Sequence, residues 1–137
     1  MTKKRSNIDF SQFLTQKITE INRMYPIVIF EDGFLTIECA WRLRKGSTVI
    51  VGYAETEVIE KRDKAYEIFE QALLNNHIKD IVHYEEISDL SITFDNDFCL
   101  DLFHDSSLYE GWQLSGKKGF ILVSLPGGSY SYCLSED

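Results

Sequence analysis

Ile27-Val28-Ile29-Phe30-Glu31-Asp32-Gly33-Phe34-Leu35-Thr36-Ile37-Glu38-Cys39 carries the sharpest structural signal in the chain. Its first four residues form a β-branched and aromatic run. Glu31-Asp32-Gly33 supplies the turn, and Leu35, Ile37 and Cys39 then alternate with Thr36 and Glu38. Asp-Gly between two apolar runs is a strong short-range hairpin signal, because the tight turn that matches strand twist needs a residue that accepts positive φ. The next segment repeats the pattern. Trp41 to Arg44 and Thr48 to Tyr53, separated by Lys45-Gly46-Ser47, read as a second hairpin.

On the N-terminal side, Phe10, Phe13, Leu14, Ile18 and Ile21 recur at three- and four-residue spacing, and Asp9 with Gln12 resembles a capping box. That pattern predicts a helix ending near Arg23, ahead of Pro26. Residues 1–7 carry three basic side chains and no apolar run, and are expected to be disordered. A second helix is expected from about Glu57 to Asn75, with Ala65, Phe69, Ala72 and Leu73 as its apolar stripe beside Tyr66. Beyond it, strand signals lie at 81–87, 90–94, 98–103, 112–115, 120–125 and 130–134.

The two halves resemble each other. Ile29-Phe30-Glu31-Asp32 matches Thr93-Phe94-Asp95-Asn96, and Leu35-Thr36-Ile37 matches Leu100-Asp101-Leu102. Trp41-Arg42-Leu43 matches Trp112-Gln113-Leu114, and Val49-Ile50-Val51 matches Ile121-Leu122-Val123. A duplicated helix-plus-meander unit is therefore expected, over about 8–55 and 57–134 of one domain. The fold class that follows is α+β, antiparallel meanders with two helices, because short-loop strand runs do not alternate singly with helices.

Composition narrows the function. The 137 residues carry a net charge of −8, which disfavours nucleic acid or an anionic membrane as partner. No apolar stretch reaches the ~18 residues of a membrane span and no secretory h-region follows the basic start, so a cytoplasmic protein is expected. Cys39, Cys99 and Cys133 are odd in number and far apart, and read as reduced, buried thiols.

No catalytic constellation stands out, and the expectation is a protein that is not an enzyme and holds no cofactor. His104-Asp105-Ser106-Ser107 gathers three triad residue types, but as neighbours on one loop, where a triad needs them brought from separate elements. Asp95, Asp97 and Asp101 fail the calcium-loop pattern, since Phe98 and Cys99 stand where oxygen ligands and a glycine are needed. The histidines and cysteines lack zinc spacing. Gly116-Lys117-Lys118-Gly119 and Pro126-Gly127-Gly128 are turn signals between strands, not phosphate loops. Trp41 and Trp112 each open an apolar strand and read as core anchors.

Charge asymmetry is the remaining signal. Between Lys79 and Lys117 there is no Lys or Arg, whereas the interval holds nine carboxylates. With Leu100 and Leu102 turned inward, Asp101 takes the opposite face of its strand, and Asp95, Asp97, Asp105 and Glu110 fall at turns or loop edges. These five are the candidate partner-binding residues. Their two readings are a solubilising surface and an electrostatic docking face for a basic protein.

The run Tyr109-Glu110-Gly111-Trp112-Gln113-Leu114, then Ser115-Gly116, Gly119-Phe120 and Leu125-Pro126-Gly127-Gly128, resembles the YExWxLxG…G…PGG ending of a family of small bacterial proteins. Leu90 to Asn96 is similar to that family's strand and acidic turn, so the resemblance covers about residues 81–134. It departs at Asp97, where glycine is usual, and at Gly111, where alanine or serine is commoner. Members look like immunity proteins of polymorphic or contact-dependent toxin systems. The resemblance thus implies a cytoplasmic inhibitor of a cognate toxin, such as a basic nuclease, and carries no site residues with it. Two rivals stay open: a small-molecule or metal-binding protein or enzyme with its site between the halves, and a structural homodimer.

Overall fold

A computed structural model describes residues 3–135. The fold is α+β, with eleven strands in two antiparallel sheets and two helices among the described residues. The strands are β1 (Ile18–Asn22), β2 (Ile27–Phe30), β3 (Gly33–Ile37), β4 (Ala40–Lys45), β5 (Thr48–Gly52) and β6 (Ile78–His83). They continue with β7 (Leu90–Phe94), β8 (Phe98–Phe103), β9 (Trp112–Ser115), β10 (Ile121–Ser124) and β11 (Tyr130–Cys133). The helices are α1 (Tyr53–Thr56) and α2 (Ile59–Leu73), which lie between β5 and β6.

Sheet one has the order β1-β2-β3-β9-β10-β11, and sheet two β5-β4-β8-β7-β6. Each half of the chain builds a three-strand meander in one sheet and then sends its next two strands to the other. Exchanging β1, β2, β3, β9 and β10 for β6, β7, β8, β4 and β5 maps five strands of sheet one onto the order of sheet two, and the edge strand β11 is left without a counterpart. The registers agree with this exchange. Ile18 pairs with Phe30 and Ile78 with Phe94, and the register slips at the same place in each, between Ile18 and Glu20 and between Ile78 and Asp80. At the junction the bonds are reciprocal. Ile18 N–H donates to Asn76 O and Ile78 N–H to Gln16 O, both at 2.9 Å, and Thr15 and Asn75 both adopt positive φ, 71° and 67°.

The expected first helix is absent. A single 3-10 turn, Ser11–Phe13, precedes β1, and Thr15 in the left-handed region stops any continuation. Phe10 and Phe13 instead pack on Phe120, with ring centroids 6.1 and 4.9 Å away. The bulge in β1 sets Ile18 and Ile21, three residues apart, against Phe30 and Val28, so a strand reproduces helical spacing. The two segments that correspond in strand order and register are therefore meanders, and only the second has a full helix in front.

α2 follows the expected stripe, burying Ala65, Phe69, Ala72 and Leu73. Phe69 stacks on Trp41 at 4.9 Å, and Trp112 is buried equally deeply, so both tryptophans are core residues. The inner rows of the two sheets, Val28-Leu35-Leu114-Leu122 and Val51-Leu43-Leu100-Ile92-Ile81, belong to one hydrophobic core with α2.

The basic N-terminal segment also departs from expectation. Residues 1 and 2 lie outside the described residues, but residues 3–7 run along the end of β6, where Ser6 N–H donates to His83 O at 2.8 Å and Glu85 N–H to Lys4 O at 2.9 Å. Lys3 reaches Asp89 at 2.6 Å and Lys4 reaches Glu85 at 3.4 Å. Its composition is that of a solvated tail, but its partners lie some 80 residues along the chain, in the acidic interval. Cys39 and Cys99 are buried free thiols, whereas Cys133, on the edge strand β11, is exposed. Burial pushes the Cys39 thiol up to about 12.

Candidate partner-binding loop

The loop from His104 to Gly111 joins β8 of sheet two to β9 of sheet one, and a buried polar network fixes its shape. The carbonyl of Ser106 accepts from Nε2 of His104 at 2.6 Å, so in the neutral ring Nδ1 is the acceptor and takes the Ser124 hydroxyl at 3.1 Å. Ser124 Oγ in turn accepts the backbone N–H groups of Gly111 and Trp112 at 3.0 and 2.9 Å. The His104 N–H donates to Asp89 Oδ1 at 3.0 Å. Ser106 Oγ accepts the N–H groups of Leu108 and Tyr109, closing the turn at the loop tip. Gly111 belongs to this packing, since a Cβ there would lie 2.7 Å from both His104 Nδ1 and Ser124 Oγ.

Two neighbouring loops are tied to this one. Gly127 N–H donates to Ser106 O at 2.9 Å, and Ser88 N–H donates to Gly128 O at 2.8 Å. The indole N–H of Trp112 donates to Ser88 O, and Ser88 Oγ meets Nε2 of His83 at 2.7 Å. His83 is buried between Ser6 and Ser88 and edge-on to Trp112 and Tyr130. Burial drives its pKa down to about 4, so near neutrality the ring is uncharged.

What this frame presents outward is apolar and acidic. Leu108 is 75% exposed, Tyr109 71% and Ile87, on the tied loop, 58%. Asp105 and Glu110 flank the Leu108-Tyr109 pair and are exposed, as are Glu86 and Glu38, the latter bonded through its backbone N–H to Gly111 O. Tyr is among the residue types enriched at binding hot spots, and a loop already ordered avoids that entropic cost on association.

The five carboxylates singled out from the sequence do not share one surface. Asp105 and Glu110 belong to this loop. Asp95 and Asp97 sit in the β7–β8 turn at the other end of β8, roughly 20 Å away along the six residues of that strand. Asp95 accepts from the backbone N–H of His77 and lies 3.0 Å from its Nδ1, and chiefly that backbone bond holds its pKa below the usual value. Asp97 lies 4.0 Å from Lys79.

Asp101 points to the outer face of sheet two, as strand alternation requires, yet its side chain is only 4% exposed. Arg42 and Arg44 each bring Nε to 2.7 Å of Oδ2, and Ser91 donates to Oδ1 at 2.7 Å. Burial raises its pKa, but the bonds from Arg44, Arg42 and Ser91 outweigh that and hold it down at about 2. Asp101 is therefore an internal ion-pair centre and offers no free charge to a partner. Of the nine carboxylates between Lys79 and Lys117, Asp80, Glu86, Asp105 and Glu110 have no ion-pair partner among the described residues. Among those residues, too, no cluster of three or more His, Cys, Asp or Glu is placed to hold a metal ion, and no helix is long and apolar enough to cross a membrane.

A family model described as a family of unknown function, DUF6188, matches residues 11–133. No curated protein and no solved structure matches the chain.

Proposed function

The chain belongs to the family DUF6188, and from its exposed loop we propose that it is an immunity-type inhibitor that binds a cognate bacterial toxin in the cytoplasm through residues 104–111. The observation that carries this reading is the exposure of Leu108 and Tyr109 between Asp105 and Glu110 on a loop whose backbone is fixed from beneath by His104, Ser106 and Ser124. Ordering such a loop at the moment of binding would cost affinity, and here the fold has already done it. Tyr109 and Leu108 would fill a depression on the partner. Asp105, Glu110, Glu38 and Glu86, backed by a net charge of −8, would steer a basic protein such as a nuclease and occupy the cationic groups that grip its substrate. Inhibition then needs only occlusion.

The test is capture of the tagged protein's partner from co-expression with the product of the gene immediately upstream, followed by calorimetric titration of the pair at low and moderate salt. One-to-one binding that weakens with salt and is lost in L108A/Y109A supports the reading. Absence of any complex with that product, or a complex indifferent to both the loop variant and salt, overturns it.

A further inference from the structure

The outer face of sheet two holds a second feature, independent of the toxin-binding reading. A cleft of about 190 Å³ is lined by Lys3, Arg42, Arg44, Tyr84, Asp89, Ser91, Asp101 and Phe103, among others. Three of these side chains are cationic and two anionic, so on a strongly acidic chain this cleft keeps one positive charge in excess. The internal pairing shows where that charge is available. Asp101 takes Nε of both arginines, and Arg44 spends its remaining nitrogens on Gly46 O, Cys99 Sγ and Asp101 Oδ1. Arg42 behaves differently. Its guanidinium lies 4.9 Å from the centre of the Phe103 ring, and its two Nη groups have no hydrogen-bond partner among the described residues. Lys3, held by Asp89 at 2.6 Å and 5.4 Å from the centre of the Tyr84 ring, adds a second cation to the same cleft.

A guanidinium clamped at Nε and backed by an aromatic ring is a planar fork with its outer N–H pair turned to solvent. Such a fork matches two coplanar oxygens. We propose that this cleft binds a small carboxylate, with Arg42 as the bidentate ligand and Lys3 as the supporting cation. Charge selects the ligand class. A carboxylate cancels the single excess charge, whereas a phosphate dianion would overshoot it beside Asp89 and Asp101.

The experiment is a nuclear magnetic resonance titration of the isotope-labelled full chain with sodium acetate, sodium phosphate and sodium chloride at constant ionic strength, following the Arg42 Nε–H and the amides of Ser91 and Phe103. Acetate should give saturating shifts at these positions, with phosphate at least severalfold weaker and chloride giving none. R42Q, which leaves Asp101 with Arg44 and Ser91 and so keeps the fold, should abolish the acetate response. R42K, which retains the charge without the fork, should weaken it about tenfold. Shifts that persist in R42Q, an affinity unchanged in R42K, or tighter binding of phosphate than of acetate would each overturn the assignment.

Discussion

Ser124 Oγ stands 3.1 Å from Nδ1 of His104 while accepting the N–H groups of Gly111 and Trp112, so one hydroxyl joins the start of the exposed loop to its end. The residue is fully buried. S124A would leave the Trp112 N–H and a ring nitrogen of His104 without this partner, while the Gly111 N–H keeps its 3.2 Å bond to the Ser124 carbonyl, and buried groups left unsatisfied cost about 1–3 kcal/mol each. Urea unfolding should show a loss of at least about 1 kcal/mol, with faster amide exchange at Leu108 and Tyr109. Exchange unchanged in the loop would mean that this network does not hold it.

Gly111 makes the complementary prediction. The methyl of G111A would lie 2.7 Å from both members of the His104–Ser124 pair, and overpacking of this kind costs about 1–3 kcal/mol. A variant as stable as the parent would show that the pair yields freely.

Asp101 and Asp105 should separate cleanly. D101N weakens the anchor of two arginines and should lower stability by about 1–3 kcal/mol, less than for a fully buried pair because Arg42 and Arg44 are partly hydrated. D105N, at an exposed carboxylate with no ion-pair partner among the described residues, should stay within about 0.5 kcal/mol. Denaturation midpoints of the two variants check the contrast.

His83 sets an acid limit on stability. Its folded pKa of about 4 lies below its ordinary 6.5, so the unfolded chain binds the extra proton first as pH falls. Its contribution is complete above about 6.5 and shrinks as pH drops toward 4, by about 3 kcal/mol over that window. Asp101 acts lower down, adding stability above its ordinary 3.8 that is lost as pH falls toward about 2. Unfolding free energy measured between pH 7 and 4 should fall, and a His83 imidazole titrating near 6.5 in the folded protein would contradict this prediction.

Much of the fold was legible because each hairpin advertises itself: Asp32-Gly33 and Lys45-Gly46-Ser47 punctuate alternating runs, and β8 and β9 begin and end where their alternation does. The segment around Ile18 was not, because a bulge spaces inward side chains three apart and so imitates a helix. The equivalent register shift in β6, between Ile78 and Asp80, explains why that strand begins at Ile78 and not at Ile81. The candidate site was legible only in part. The acidic interval drew attention to Asp105 and Glu110, but Asp101 was neutralised by a cross-strand neighbour, Arg42, whose register no local pattern reveals. Tyr109 is visible in the sequence only as part of a motif and Leu108 not at all, because their significance is exposure, which periodicity cannot report outside a regular element.

Docking of a basic toxin on the 104–111 loop is tested by binding kinetics on an immobilised partner, comparing the parent with D105K/E110K and with L108A/Y109A. The charge reversal should slow association about tenfold or more at low salt, with little change in dissociation, while L108A/Y109A should speed dissociation by a factor equivalent to about 2 kcal/mol or more. Kinetics unchanged in both variants, with a complex still formed, would place the interface elsewhere and contradict it.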